Sequence, residues 1–258
     1  IHESDTLPGR VNKWAGKFAD YVALSYPETA KYFPEAEKKN KILYTGQPVQ
    51  RAIREPLTNG AHRLFEFDEG TKSVLVLGGS QGSEIINSAV MDALPKLVLN
   101  YQIIHQTGSA NLKVVKETAE AVLLNNKMKN RYKPFGYLNH LELQMAAGAA
   151  DIVLSRAGST IFEIACWGKA SIIIPITDSN GDHQKQNALA YATSGACSII
   201  EEGNLTPNVL FAEINRIVND TQLRQKMEVA ARAFFKPDAD IAIAKELLAI
   251  ALSHEELE

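Results

Sequence analysis

Twice in this sequence an apolar run breaks into glycines and then opens a helix-like pattern, and that layout constrains the fold more than any other feature. VLVLGGSQGSEIIN begins at Val74, and DIVLSRAGSTIFEIACWG begins at Asp151. A strand feeding a glycine turn and a helix is the building unit of parallel α/β sheets. The run ASIIIPI, from Ala170, is almost continuously apolar, as a strand covered by helices on both faces must be. These segments predict an open, doubly wound α/β domain.

The rest of the chain follows the same alternation. Strands are expected at SVLVLGGS from Ser73, YQIIHQTG from Tyr101, KPFGYLN from Lys133, DIVLSRAG, ASIIIPI and ACSIIEE from Ala196. Helices are expected over 81–93, 109–124, LELQMAAGAA, 160–167 and 183–194, and three more close the chain over 207–219, 221–235 and 238–252. Before residue 50 the rhythm is shorter: a helix over 11–20, strands at YVALSY from Tyr21 and KILYTG from Lys41, and a helix opened by Pro27 between them. Residues 50–71 hold Pro56, Asn59, Gly60 and Gly70 with little periodicity, which marks a boundary. The expected division is 1–56 as the end of a first Rossmann-like domain, 57–71 as linker, 72–235 as a complete second one, and 236–258 as a C-terminal helix. The left edge, with no initiating Met, reads as internal to something larger.

Composition removes several classes of function. Apolar residues at 45% and charged residues at 22% are ordinary for a globular protein, so a wholly disordered chain is disfavoured. A net charge of −3, from 27 basic and 30 acidic side chains, offers no global field for a nucleic acid, and none is expected as a partner. Cys166 and Cys197 are too few for a disulfide framework, and neither has a Cys or His at metal-ligand spacing, so no metal is expected. No apolar run approaches the roughly 20 residues that span a bilayer, which leaves peripheral membrane contact.

The chemistry concentrates in three places. Gly78, Gly79, Ser80, Gln81 and Gly82 precede a helix, where free backbone N–H groups and the helix dipole favour an anion. Neither GxGxxG nor the P-loop pattern is met, so a plain strand-to-helix turn fits as well as diphosphate binding. In the second turn, Gly158, Ser159 and Thr160 precede a helix carrying Glu163, which suits either capping or a ribose diol. Arg156 can pair with phosphate or with a carboxylate. The third place, PITDSNGDHQKQNAL from Pro175, is a polar loop after the most apolar strand. There Gln184 suits a sugar, Asp182 suits an N-cap, and His183 beside it suggests acid–base chemistry only weakly.

Two further clusters are less specific. HESD at the start groups His2, Glu3 and Asp5, and Asp5 serves equally as a turn cap before Pro8 and Gly9. Trp14 with Lys13 and Lys17 makes a short amphipathic helix, too short for an anchor by itself. His105, inside an apolar strand, reads as a hydrogen-bonded core histidine, and Met145 and Trp167 as packing residues.

Taken in order, HESDTLPGRVNKW, TGQPVQ, VLVLGGSQGSEIIN, DIVLSRAGSTIFEIACWGKASIIIPI and DHQKQNA resemble the MurG family of peptidoglycan synthesis. The resemblance runs over nearly the whole chain and is specific from Val74 to Asn187. It implies a two-domain GT-B glycosyltransferase fold and an inverting transfer without a cofactor. N-acetylglucosamine would move from UDP-N-acetylglucosamine to the C4 hydroxyl of a lipid-linked N-acetylmuramyl-pentapeptide, at the inner face of a bacterial cell membrane. Ser80, Gln81 and Gly82 then face the donor diphosphate, with Ser159 and Thr160 in the second turn. Glu163 would bind the uridine ribose, Gln184 the transferred sugar, and Tyr137 with Leu138 the uracil edge.

The sequence departs from that family in three respects. The glycine-rich loop with the family's histidine, and about a hundred residues around it, have no counterpart before Ile1, which leaves His2, Glu3 and Asp5 as candidate bases. The arginine of the family's GxPxR turn falls on Gln50, with Arg51 next to it. The turn from Arg156 to Glu163 is one residue shorter. Two rival readings stay open: another GT-B transferase of UDP-sugars with a different lipid or glycan acceptor, and a non-catalytic UDP-sugar-binding subunit.

Overall fold

A computed structural model describes residues 1–79, 81–177 and 182–255. Three short strands, β1 (His2–Glu3), β2 (Val22–Leu24) and β3 (Ile42–Leu43), form a parallel sheet in that order. Six more form a second sheet: β4 (Ser73–Leu77), β5 (Gln102–Gln106), β6 (Tyr132–Phe135), β7 (Ile152–Ser155), β8 (Ser171–Ile173) and β9 (Cys197–Ile199). Their order is β6-β5-β4-β7-β8-β9, with every pairing parallel. The chain therefore winds outward from β4 to one edge, returns to β7 on the other side of β4, and winds outward again. At that switch point the loops after β4 and β7 diverge and leave a crevice at the carboxyl ends of the strands.

Side-chain alternation along the strands builds a core on each face of the larger sheet. Val74 and Val76 point to one face and meet Ile86, Leu94 and Leu97 of the Glu84–Asn100 helix and Ile214 of the Pro207–Asn219 helix. Leu75 and Leu77 point to the other and meet Ala146 of the His140–Ala149 helix, and Ile164 and Trp167 of the Thr160–Trp167 helix. Trp167 is fully buried there, and Met145 packs at the margin of the same cluster, both as packing residues.

Helix ends differ from the sequence expectation where backbone and burial outweigh local propensity. The helix after β4 starts at Glu84 rather than near residue 81, because Gly79 and Gly82 both take left-handed backbone (φ 86° and 80°) and prolong the turn. It also runs through Pro95 to Asn100 instead of stopping at Ala93, since Leu94, Leu97 and Val98 are buried. The first helix is only Arg10–Ala15, and it closes at Gly16, where an added Cβ would lie 2.6 Å from the Phe33 ring. The expected strand at KILYTG shrinks to Ile42–Leu43, and the helix at Pro27 is a 3-10 helix through Tyr32.

Residues 50–71 lie against the larger sheet's helices. Trp167 Nε1 donates to the Ile53 carbonyl at 2.7 Å, and Leu57 N–H donates to the Gln144 carbonyl at 3.0 Å. Phe65 and Phe67 enter the core on that side. The two parts also share an aromatic contact, in which Tyr26 packs edge-on against Phe162 at 5.2 Å and beside Phe234 at 5.9 Å. The last helix, Ala239–Glu255, returns to the first part of the chain, where Asp240 pairs with Arg51 at 3.1 Å and Arg54 at 3.0 Å.

Candidate functional site

The crevice at the switch point is a cleft of about 570 Å³, walled by the two glycine turns and closed by Ile176 and Gln184. Gln81 and Gly82 line it from one side, and Gly158, Ser159 and Thr160 from the other. Ser80, expected at the centre of the first turn, lies outside the described residues. Gly82 is required by geometry: besides its positive φ, a Cβ there would sit 2.0 Å from the Thr107 carbonyl oxygen. That close approach lets the turn fold back and aim the N-terminus of the Glu84–Asn100 helix across the cleft. Ser83 caps this helix, with its Oγ accepting from Ile86 N–H at 3.4 Å.

Arg156 joins the two turns. Its Nε and Nη2 donate to Ser83 Oγ at 3.1 and 2.7 Å, its Nη1 donates to the Ile174 carbonyl, and Glu202 pairs with it at 2.5 Å. Of its two sequence readings, the structure shows the carboxylate bridge. Burial alone would raise the Glu202 carboxyl, but hydrogen bonds from Thr177 and the Arg156 guanidinium hold it below the ordinary range. The guanidinium charge is thus met by Glu202, and Glu84 also lines the cleft, so what favours a diphosphate there is the pair of helix N-termini.

Glu163 is half-buried, three residues after Thr160 and so on the same helix face one turn deeper. Burial pushes its carboxyl above the usual range, and it accepts no hydrogen bond among the described residues. It makes no capping contact, and it lies behind the cleft wall that Thr160 lines rather than in the lining itself. Gln184 lines the cleft with its Oε1 accepting from Ile176 N–H at 3.3 Å, which leaves its amide N–H groups for a ligand. Asp182 occupies the N-cap position of the His183–Thr193 helix in left-handed backbone (φ 56°), yet its side chain makes no capping bond. His183 Nδ1 lies 2.6 Å from the Leu7 carbonyl and so acts as the donor.

Tyr137 is exposed, whereas Leu138 is buried and its N–H donates to Gln106 Oε1 at 3.0 Å. Gln106 Nε2 in turn donates to the Gly79 carbonyl at 3.2 Å. This glutamine, at the end of β5, ties the glycine turn to the 137–138 loop. Sequence reasoning missed it, as it missed Ser83 and Glu202. The only signal for Gln106 was a polar residue closing an apolar strand before Thr107 and Gly108. His105, one residue earlier, is the expected core histidine: its ring nitrogens lie 2.9 Å from Tyr132 Oη and 3.0 Å from Asn87 Oδ1, and burial lowers its pKa to about 3.

The HESD cluster sits on β1 and the loop after it. Glu3 is buried, with its carboxylate accepting from Asp5 N–H, Gly9 N–H and Asn12 Nδ2. His2 Nε2 lies 3.1 Å from the Gly46 carbonyl. Asp5 Oδ1 accepts from Asn187 Nδ2 at 2.8 Å. Among the described residues no group of three or more His, Cys, Asp or Glu is placed to hold a metal ion, and no helix is long and apolar enough to cross a membrane.

Comparison with known proteins gives this arrangement a family. The family model described as "Glycosyltransferase family 28 C-terminal domain" matches residues 73–242. A UDP-N-acetylglucosamine--N-acetylmuramyl-(pentapeptide) pyrophosphoryl-undecaprenol N-acetylglucosamine transferase from Thermodesulfovibrio yellowstonii is 39% identical over 255 residues, covering 96% of this chain and 66% of that protein. One of the same name from Alkaliphilus oremlandii is 33% identical over 252 residues, covering 97% of this chain and 66% of that protein. The chain therefore spans slightly less than two thirds of the length of these curated relatives. The crystal structure of Acinetobacter baumannii MurG superposes with a TM-score of 0.73 at 24% identity, over 96% of this chain and 66% of that one. The shared fold is the two-sheet α/β arrangement of the GT-B type. Since the family match takes in the whole six-stranded sheet and both glycine turns, the chain belongs to glycosyltransferase family 28, and residues 73–242 are its C-terminal domain.

Proposed function

We propose that this chain carries the donor site of a MurG-type transferase, one that moves N-acetylglucosamine from UDP-N-acetylglucosamine to the C4 hydroxyl of a lipid-linked N-acetylmuramyl-pentapeptide. The observation that carries the reading is the cleft itself, where two glycine turns and their helices converge around Arg156 at the switch point. The names of the relatives supply the sugar and the lipid-linked acceptor, and we place the reaction at the inner face of a bacterial cell membrane because that acceptor is lipid-linked. The domain division follows the same logic, with residues 72–235 binding the donor and residues 1–56 belonging to the acceptor side.

In this reading the acceptor hydroxyl attacks the anomeric carbon, its bond to the β-phosphate oxygen breaks, and UDP leaves. Negative charge develops on that oxygen, so preoriented donors facing it lower the barrier. Gln81 and Gly82, with the helix they introduce, serve that task in this reading, while Arg156, its charge paired with Glu202, braces Ser83 at the start of the same helix. Glu163 takes the ribose hydroxyls, Gln184 the sugar, Ser159 and Thr160 the second wall, and the Tyr137–Leu138 loop the uracil edge. Loss of the acceptor proton needs a base, and in the HESD cluster only Asp5 keeps a carboxylate oxygen outside the internal hydrogen bonds. Neither a metal nor another cofactor has a part in this scheme.

Titration calorimetry in excess EDTA tests the donor reading. UDP and UDP-N-acetylglucosamine are expected to bind, with uridine at least about tenfold weaker because it lacks the diphosphate that the helix N-termini favour. Equal affinity for uridine and UDP would remove the diphosphate from the cleft, and loss of binding on chelation would show that a metal is needed.

A further inference from the structure

The helix His183–Thr193 faces two ways. Gln184 looks into the donor cleft, while His183 and Asn187, four residues apart and so on one face, grip the loop after β1. Asn187 is buried to 1% exposure and uses its whole amide. Its Oδ1 accepts from Thr6 N–H and Thr6 Oγ1, both at 2.9 Å. Its Nδ2 donates to Asp5 Oδ1 at 2.8 Å and to the Ala157 carbonyl, within the second glycine turn, at 3.1 Å. Thr29 Oγ1 fastens the same loop from the other side through the Asp5 and Thr6 carbonyls.

We infer that Asn187 is a positioning residue, a latch that sets loop 5–7 on the acceptor side at a fixed distance from the Ala157–Gly158 turn on the donor side. The inference rests on the donor-site reading above. A satisfied buried amide of this kind has one arrangement, because any rotation strands a donor or an acceptor away from water. A shift of the 157–159 turn on donor binding would therefore be passed to Asp5 and Thr6 through one side chain. This connection spans 181 residues of sequence between Thr6 and Asn187.

Amide exchange of Thr6, followed by NMR on the 258-residue chain with and without saturating UDP, reads the latch directly. In the wild type the Thr6 amide is expected to be protected and to become more so with UDP. Asn187→Ala should speed its exchange by about tenfold or more and abolish the response to UDP. Asn187→Asp sets two carboxylates against each other, and adding Asp5→Asn restores an amide–carboxylate pair in the reverse sense. The double variant is therefore expected to be better protected than Asn187→Asp alone, a comparison that stands even if Asn187→Ala fails to fold. Unchanged Thr6 exchange in Asn187→Ala, or a double variant no better than Asn187→Asp, would overturn the latch. So would UDP that binds the wild type and leaves Thr6 exchange unaltered. If UDP does not bind at all while Asn187→Ala still frees Thr6, the donor reading fails and the holding of the loop by Asn187 stands.

Discussion

At the scale of single residues, the proposed role of Glu163 would turn a cost to the free protein into a contribution to binding. Its carboxyl is raised by burial and has no hydrogen-bond donor among the described residues. Ribose hydroxyls would supply donors and stabilise the ionised form. Glu163→Gln is therefore expected to weaken UDP binding by about 1.5 to 3 kcal/mol, the range for a hydrogen bond to a charged group, with the fold intact by circular dichroism. A 2',3'-dideoxyribose analogue should be almost indifferent to the change, and equal weakening of both ligands would assign Glu163 a general electrostatic role. The pH dependence has a definite sign. Since the ligand prefers the carboxylate, affinity is highest above the raised pKa and falls as pH drops through it. Phosphate ionisation is common to wild type and Glu163→Gln, so the difference between their profiles isolates the carboxyl.

At the scale of elements, the two glycine turns look alike in sequence and differ in what they tolerate. Gly82→Ala meets both a left-handed φ and the Thr107 carbonyl, and is expected to destabilise the chain by about 1 to 3 kcal/mol while disrupting UDP binding. Gly158 has open space at its Cβ position and lines the cleft. Gly158→Ala should leave stability within about 0.5 kcal/mol and still weaken UDP, because its methyl enters the donor's space. Thermal melts paired with calorimetry separate the two, and identical behaviour would contradict this division. The strands were legible because a doubly covered sheet demands nearly unbroken apolar runs such as Ile172 to Ile174. The turns were legible because glycines end those runs. What could not be read were contacts made by the sheet order: Gln106 with Gly79 and Leu138, Arg156 with Ser83 and Glu202, Asn187 with Thr6. Each joins residues far apart in sequence, and no local pattern encodes such a partner.

At the scale of the whole molecule, the larger sheet is complete, with six strands in full Rossmann order, whereas the smaller has three strands with a core of five buried residues. The unequal halves suggest an unequal division of the chemistry. In the proposed reading the donor is held by residues between 78 and 187, while the acceptor side would offer β1, the HESD loop and Asp5. Holding an acceptor hydroxyl against the anomeric carbon can supply roughly 7 to 11 kcal/mol of barrier lowering, more than any one donor contact. The 258 residues alone are accordingly expected to bind UDP-N-acetylglucosamine without detectable turnover. A chain extended at its start to the length of the Thermodesulfovibrio yellowstonii relative should be active. The measurement is formation of the disaccharide-linked lipid from purified lipid-linked acceptor and radiolabelled donor, run with both chains in parallel. Comparable turnover by the two would place the acceptor platform and its base within these residues. Asp5→Ala, with its effect on Thr6 exchange measured alongside, would then be the first variant to separate loss of a base from loss of the latch.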